Sequence, residues 1–220
     1  DWAGVNAFCA GTDAFVLGTS AVRPFERMQF LRGTAELYLD LGLGSDEVQR
    51  LRDLVHAYFR EEVARWCATD VDGISFLDDW GAQNRLLISP AMWRELFKPL
   101  YAEYCQMIHA AGKFAFMHSD GHISAIIPDL IEIGVDALNA QLFCMDIESL
   151  GQQHRGRITF WGEIDRQRVL PFGGPKDVRA AVRRVRAALD DGSGGVFAQC
   201  EWGLDVSREN VEAVFAAWME

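Results

Sequence analysis

Basic residues are scarce in this 220-residue chain. It has 21 Lys and Arg residues against 32 Asp and Glu residues, which leaves a formal net charge of −11, and the acidic residues are dispersed along the sequence. Nucleic acids and anionic membrane surfaces are bound through basic patches. The charge balance therefore predicts that neither is a partner. A small-molecule substrate is a separate expectation.

Long apolar runs are also missing. The chain contains no stretch of about 18 uninterrupted apolar residues, the length that indicates a transmembrane helix. No signal peptide is visible, and because the chain begins at Asp1 rather than Met, the N-terminal part of the protein is expected to be incomplete. A cytoplasmic location is the expectation.

Cysteine is sparse, and the residues are odd in number and widely spaced: Cys9, Cys67, Cys105, Cys144 and Cys200. Apolar residues make up 50% of the chain, enough for one sizeable core without a disulfide framework. Reduced thiols in a cytosolic chain are the simpler interpretation. No linker or shift in composition is visible, which predicts a single domain over residues 1–220.

Short apolar runs that lead into polar clusters and then into helical patterns recur along the chain. Buried parallel strands have this character because helices cover their outer face. Six strands are predicted near residues 14–18, 73–77, 113–117, 135–138, 158–161 and 195–199. The regular alternation of strand and helix predicts one parallel sheet.

Serine and proline mark the starts of the intervening helices. Helices are predicted to begin at Pro24, Ser45, Ser89-Pro90, Pro175 and Ser207, where these residues suit an N-cap or a first turn. The helix from Ser89 is predicted to run without a break to a stop at Gly112. A further helix is predicted from residue 122 to residue 133, interrupted by a proline, and a short one from residue 146 to residue 154.

Six strand–helix units point to a TIM-type (β/α)₈ barrel. Such a barrel needs eight units and about 250 residues, so the α/β chain is predicted to lack the N-terminal units. An open doubly wound sheet is the alternative fold. The glycine-rich turn that usually marks dinucleotide-binding folds of that kind is absent, which weighs against it.

Several segments together resemble the uroporphyrinogen decarboxylase superfamily. They are residues 78–83 (DDWGAQ), 88–94 (ISPAMWR), 118–121 (HSDG), 127–139 (IPDLIEIGVDALN) and 161–165 (WGEID). The resemblance covers almost the whole chain from about Phe15. It implies a TIM-type barrel with one of two activities: cofactor-free decarboxylation of uroporphyrinogen, or methyl transfer among a corrinoid protein, a thiol and small methyl donors, usually with zinc.

Details of the resemblance favour the methyltransferase branch. Residues 199–203 (QCEWG) follow the last strand, where the decarboxylases usually carry a Gly-His-Gly turn. His118 and Cys200 match two zinc-ligand positions of the methyltransferases, and Asp120 stands where a cysteine is expected. The predicted zinc site is therefore His118 and Cys200 with Asp120 or Glu163 as the third ligand, and the resemblance implies a corrinoid supplied by a partner protein.

Two other functions stay open. One is metal-free uroporphyrinogen decarboxylase, whose substrate carries several carboxylates and requires arginines. These are expected to come from the missing N-terminal part or from Arg85 and Arg166. The other is a non-catalytic barrel that binds a corrinoid protein or a small ligand, which the Asp at position 120 would favour. Each metal candidate also has a structural alternative, because His118 could be a hydrogen-bonded wall residue, Cys200 a small buried hydrophobe, and Asp120 the cap of a helix starting near residue 122.

Polar residues at strand ends are the remaining site candidates. Asp79, His118 and Glu163 are the predicted catalytic residues, as acids and bases at the edge where such folds carry their chemistry. Since neighbouring strand residues point to opposite sides, at most one of Asp78 and Asp79 is expected to face the centre. The predicted substrate-binding residues, for which packing is the alternative, are Trp80, Gln83, Asn139, Gln141 and Trp161.

Overall fold

A computed structural model describes all 220 residues. The chain has an α/β fold in which six parallel strands alternate with helices, and the order of the strands in the sheet is their order in the sequence. The strands are β1 Leu17–Thr19, β2 Gly73–Leu77, β3 Phe114–Ser119, β4 Ala137–Ala140, β5 Thr159–Trp161 and β6 Val196–Phe197. All six predicted strands are confirmed.

Eleven α-helices connect and flank the strands. They are α1 Trp2–Ala10, α2 Pro24–Arg32, α3 Thr34–Leu43, α4 Asp46–Cys67, α5 Pro90–Leu96, α6 Lys98–Ala110, α7 Ile127–Glu132, α8 Ile147–His154, α9 Val169–Phe172, α10 Pro175–Leu189 and α11 Arg208–Met219. A 3₁₀ helix spans Leu142–Cys144. None of the helices combines the length and the apolarity that a membrane crossing would require.

The predicted helix starts are confirmed by their caps. The hydroxyls of Ser45, Ser89 and Ser207 each accept a hydrogen bond from the backbone N–H three residues later, at 3.1 to 3.2 Å. Such a contact satisfies one of the N–H groups that a helix start leaves without an intrahelical acceptor. Helices α4, α5 and α11 therefore begin where local chemistry favours it.

Two predicted helices were wrong in extent because of proline. The helix from Ser89 ends at Leu96, and α6 starts anew at Lys98, since Pro99 has no N–H to donate and its ring would clash with the preceding turn. The helix expected from residue 122 begins only at Ile127, with Pro128 in its first turn. Asp120 therefore does not cap a helix at residue 122.

The chain divides into two compact units. The first comprises Asp1–Asp79, Ile88–His118 and Glu132–Val135, and the second comprises Trp80–Leu87, Ser119–Ile131 and Asp136–Glu220. The single domain expected from the sequence stays a prediction.

An aromatic core fills the first unit behind its strands. In the parallel register, Leu17 lies beside Gly73, and Leu77 lies beside His118. The ring of Tyr101 stacks on Phe76 at 6.1 Å between ring centroids and on Trp93 at 5.9 Å. Aromatic pairs of this geometry contribute about 0.5–1.5 kcal/mol each beyond their buried area. The core thereby supports the C-terminal end of β2, and β3 pairs with β2 along that end.

Helix α10 forms the main apolar contact of the second unit. Strands β4, β5 and β6 pair in parallel, with Ala137 beside Thr159 and Phe160 beside Val196. The buried face of α10 packs against α8 and α11 and carries Val178, Val182, Val185 and Leu189. This spacing of apolar residues by three and four is the helical period expected from the sequence.

Candidate functional site

Gly81 and Gly121 bring the backbone close together in the loops that follow β2 and β3, next to the predicted catalytic residues Asp79 and His118. The N–H of Gly81 donates to the carbonyl of Asp120 at 3.1 Å, and the N–H of His122 donates to the carbonyl of Ala82 at 2.8 Å. Gly121 has φ +77°, and a Cβ there would lie 2.2 Å from the carbonyl oxygen of Gly81. Only glycine permits this approach, which fixes the backbone beside Asp120.

Asp78 and Asp79 separate as strand alternation predicts. Asp78 is completely buried and accepts hydrogen bonds from the N–H groups of Phe25 and Glu26 and from the hydroxyl of Tyr101, at 2.7 to 2.8 Å. Burial raises its pKa to about 7, and the three donors offset that effect in part. Asp78 thus caps the start of α2, whose own N-cap Arg23 makes no side-chain cap.

Asp79 lies next to His118 at the ends of β2 and β3. The Nε2 atom of His118 is 3.5 Å from an Oδ1 of Asp79, and their side chains are 28% and 40% exposed. Glu26, at the start of α2, belongs to the same environment: burial and the charge of Asp79 raise its pKa, whereas Arg23 and His118 act in the opposite direction. Sequence patterns do not single out Glu26, because its proximity depends on the helix cap made by Asp78.

A potential metal-binding group forms at this end of the strands. It comprises Asp79, His118 and Asp120, whose ligand atoms all lie within 4.8 Å of one another. Ligands about 2.0–2.1 Å from a tetrahedral zinc lie roughly 3.3 Å apart, close to the 3.5 Å between His118 and Asp79. The donor set of one imidazole and two carboxylates fits zinc, whose usual four positions would include one further ligand. His118 and Asp120 were predicted as metal ligands, and Asp79 as a catalytic residue.

A second carboxylate cluster surrounds Arg166 in the second unit. Its Nη2 contacts Oδ2 of Asp120, and its Nη1 contacts Oε2 of Glu201 and lies 3.1 Å from Oε1 of Glu163. Burial opposes the charge of Arg166, but these acids outweigh it and raise the pKa of the guanidinium. Glu163, a predicted catalytic residue and possible metal ligand, is only 3% exposed and engaged by this arginine.

Two thiols share the surroundings of Glu163. Burial, and then the charge of Glu163, raise the pKa of Cys200 to about 11. The pKa of Cys144 is raised by burial and by Glu163 and Asp120. Both are therefore protonated thiols at neutral pH, and a metal would have to displace a proton to bind either one. A ligand role for Cys200 stays a prediction.

Three of the predicted substrate-binding residues are buried or hydrogen-bonded within the protein. Trp80 is completely buried, and Gln141 is 7% exposed with its Oε1 accepting from the N–H of Gly121 at 3.0 Å. Asn139 donates from Nδ2 to the carbonyl of Trp161 at 2.7 Å, which links the ends of β4 and β5. Packing, the alternative considered from the sequence, therefore accounts for Trp80.

Gln83 and Trp161 are more accessible. Gln83 donates from Nε2 to the sulfur of Cys144 at 3.4 Å and accepts from Nε2 of Gln167 at 3.1 Å. The ring of Trp161 meets Phe197 edge to face at 6.5 Å and is partly exposed. Contact of any of these five residues with a substrate stays a prediction.

Residues 12–220 of the chain match the family described as uroporphyrinogen decarboxylase (URO-D). The chain belongs to this family. A solved structure, a methyltransferase from Methanosarcina mazei, is similar with a TM-score of 0.73 and 16% sequence identity. No curated protein sequence matches the chain.

The structural likeness covers 94% of this chain and 59% of the methyltransferase chain. At such low identity it shows the fold alone. Together with the URO-D match it confirms the predicted fold class, a TIM-barrel-type α/β fold.

Proposed function

We propose that this member of the URO-D family is a zinc-dependent methyltransferase that acts with a corrinoid protein or a thiol acceptor. The observation that carries the proposal is the grouping of Asp79, His118 and Asp120 with their ligand atoms within 4.8 Å. An imidazole and two carboxylates can hold zinc through three protein ligands and keep a position open for a reactant. The methyltransferase neighbour is compatible with this function.

Each ligand would bring a different property to the metal. His118 binds through a neutral ring nitrogen, and Asp79 and Asp120 supply negative charge that balances the ion. Their partial exposure leaves reactants a route to them. When bound, zinc would lower the pKa of a thiol acceptor or polarise a methyl donor. Cys200 would join as a further ligand only if its proton is lost, and a soft thiolate would then favour zinc over harder ions.

The corrinoid partner and the small substrate are part of the proposal. Gln83 and Trp161 are the predicted substrate contacts that combine partial exposure with an amide or an aromatic face. An amide can grip a polar methyl donor through hydrogen bonds, and an indole can cover its apolar part. We expect these two residues, rather than the buried Trp80, to affect the Michaelis constant.

Metal-free decarboxylation is the weaker candidate. A porphyrinogen with several carboxylates requires cationic side chains, and Arg166 is one of the two arginines suggested for that task. Its guanidinium already contacts Asp120, Glu163 and Glu201. A substrate carboxylate would therefore have to compete with three acids of the protein for this arginine. A non-catalytic role was favoured by the aspartate at position 120 in place of a cysteine. That argument is weaker because Asp79 adds a carboxylate to the pair of His118 and Asp120.

Metal content and zinc calorimetry of the full-length protein test the proposal. We expect one zinc per chain in the wild type, and a loss of zinc affinity of about 100-fold or more in Asp79→Ala, His118→Ala and Asp120→Ala, since even outer-shell partners cost 10–100-fold. Asp13→Ala serves as the control, because Asp13 is exposed. Methyl transfer from a methylated corrinoid to a thiol should be lost in the same three variants.

Unchanged zinc affinity in all three variants would contradict the proposal. Decarboxylation of uroporphyrinogen at an equal rate with and without a chelator would promote the metal-free alternative instead. Cys200→Ala, with Cys9→Ala as its control, decides whether the thiol is a ligand. Cys9 is partly exposed in α1 and outside the group of candidate ligands.

A further inference from the structure

Arg166 is held in place by the turn that precedes α9. The Oδ1 atom of Asp165 accepts hydrogen bonds from the N–H groups of Gln167 and Arg168, at 3.0 and 2.9 Å. An aspartate that bonds the backbone two and three residues later stabilises such a turn. The backbone of Arg166 is thereby fixed in the loop between β5 and α9.

Its guanidinium is anchored on two sides. Glu163 is 4% exposed in its side chain and lies 3.1 Å from Nη1, and Glu201, from the segment after β6, contacts the same nitrogen. A planar guanidinium with several fixed donors loses less freedom per bond than a lysine amine would. The other terminal nitrogen, Nη2, contacts Oδ2 of Asp120. Arg166 thus connects a buried acid to an acid of the proposed metal site.

We propose that Arg166 is a positioning residue that orients Asp120 as a metal ligand. The inference rests on the proposed metal-binding function. By holding Oδ2, Arg166 restricts rotation of the Asp120 carboxylate and thereby fixes its orientation. Partners that fix a ligating side chain in this way commonly change metal affinity by 10–100-fold.

The sign of the effect distinguishes positioning from simple electrostatics. Arg166 carries a positive charge close to the proposed metal site. Its removal should strengthen binding of a divalent cation if charge repulsion is its only influence. If Arg166 positions Asp120, its removal should weaken binding instead. A residue that only supports the fold would change neither the affinity of folded protein nor the geometry of the bound metal.

The experiment combines Arg166→Gln with Asp120→Ala in a double-mutant cycle on the full-length protein. The probe is Co²⁺, whose visible absorption reports coordination geometry, together with zinc affinity from competition titrations. We expect Arg166→Gln to lower affinity about 10–100-fold and to alter the Co²⁺ spectrum. In the Asp120→Ala background the same change should lower affinity no further. Arg208→Gln is the control, since Arg208 is 91% exposed and pairs only with Glu212 on its own helix.

Each other outcome overturns the inference. Unchanged or higher zinc affinity in Arg166→Gln, with a thermal melt that confirms the fold, shows that Arg166 does not position a ligand. An equal loss in the Asp120→Ala background shows that it acts through another group. If the wild type binds neither zinc nor Co²⁺, the proposed function fails together with the inference. Normal wild-type binding with an unaffected Arg166→Gln variant removes the inference alone.

Discussion

Two carboxylate clusters with different counter-charges share Asp120. In one, Asp120 belongs with Asp79 and His118, side chains that are 28% to 40% exposed and offer a nitrogen and carboxylate oxygens. In the other, Arg166 contacts Asp120 together with Glu201 and the buried Glu163. In the cluster around Arg166, the protein thus supplies the cation itself. In the cluster with Asp79 and His118, it arranges ligands suited to a metal ion from solution.

Substituting one residue in each cluster tests most strongly whether only the first cluster binds a metal. His118→Ala should lower zinc affinity by about 100-fold or more, because it removes a direct ligand. Glu163→Gln should lower it by less than about 10-fold, since Asp120 and Glu201 still engage Arg166. Isothermal calorimetry on the two variants measures both effects. A larger loss in Glu163→Gln would mean that Glu163 itself binds the metal.

Alanine substitutions at two glycines with similar φ angles test the backbone that presents Asp120. Gly121→Ala should lower the free energy of unfolding by about 2–4 kcal/mol, because strain at φ +77° is joined by a 2.2 Å approach to Gly81. Gly112→Ala is the matched control, with φ +73° and open space around its Cβ, and should cost about 1 kcal/mol. Urea denaturation of both variants measures the difference. Equal losses would refute the importance of the close approach.

The buried Asp78 should make stability depend on pH in a defined direction. Its pKa is raised to about 7 from 3.8, so the folded state holds this proton more tightly than the unfolded state does. The contribution of Asp78 is therefore greatest below pH 4 and declines between about pH 4 and pH 7. The free energy of unfolding of the wild type, relative to Asp78→Asn, should fall by up to about 1.4 kcal/mol per pH unit in that range. Parallel pH profiles of the two proteins would contradict this expectation.

The smallest effect is expected at Cys200. With a pKa raised to about 11, the thiol should react slowly with iodoacetamide at pH 8 and faster as the pH rises. Zinc should slow the reaction several-fold further if the sulfur becomes a ligand. Mass spectrometry of the alkylated peptide follows Cys200 by itself. Unchanged alkylation upon zinc addition would restrict the metal site to Asp79, His118 and Asp120.

The strands and helix starts were predictable because their causes are local. Buried parallel strands are continuous apolar runs, and serine caps act on N–H groups three residues away. The break before Lys98 was also marked by Pro99, but the strong apolar spacing across it concealed the signal. Helices α1 and α3 were not predicted. Helix α1 buries none of its residues, and α3 buries only Leu37 and Leu41, so each has little or no apolar face towards the core.

The site was predictable in its residue types and less so in its contacts. Strand alternation required Asp78 and Asp79 to diverge, but only the start of α2 determines that Asp78 is the buried one. The resemblance to the zinc methyltransferases suggested that Asp120, which stands where they carry a cysteine, shares a metal with His118. The contact of Arg166 with three acids depends on a turn and on residues from distant parts of the chain, and no local pattern indicates it.

The central claim is that His118 holds a metal together with two carboxylates, and zinc X-ray absorption on the full-length protein tests it most directly. The account predicts nitrogen and oxygen neighbours at about 2.0–2.1 Å, with the multiple scattering of an imidazole. That imidazole signal should disappear in His118→Ala and persist in Asp13→Ala. An imidazole signal that survives in His118→Ala, or a wild-type protein that retains no zinc, would contradict it.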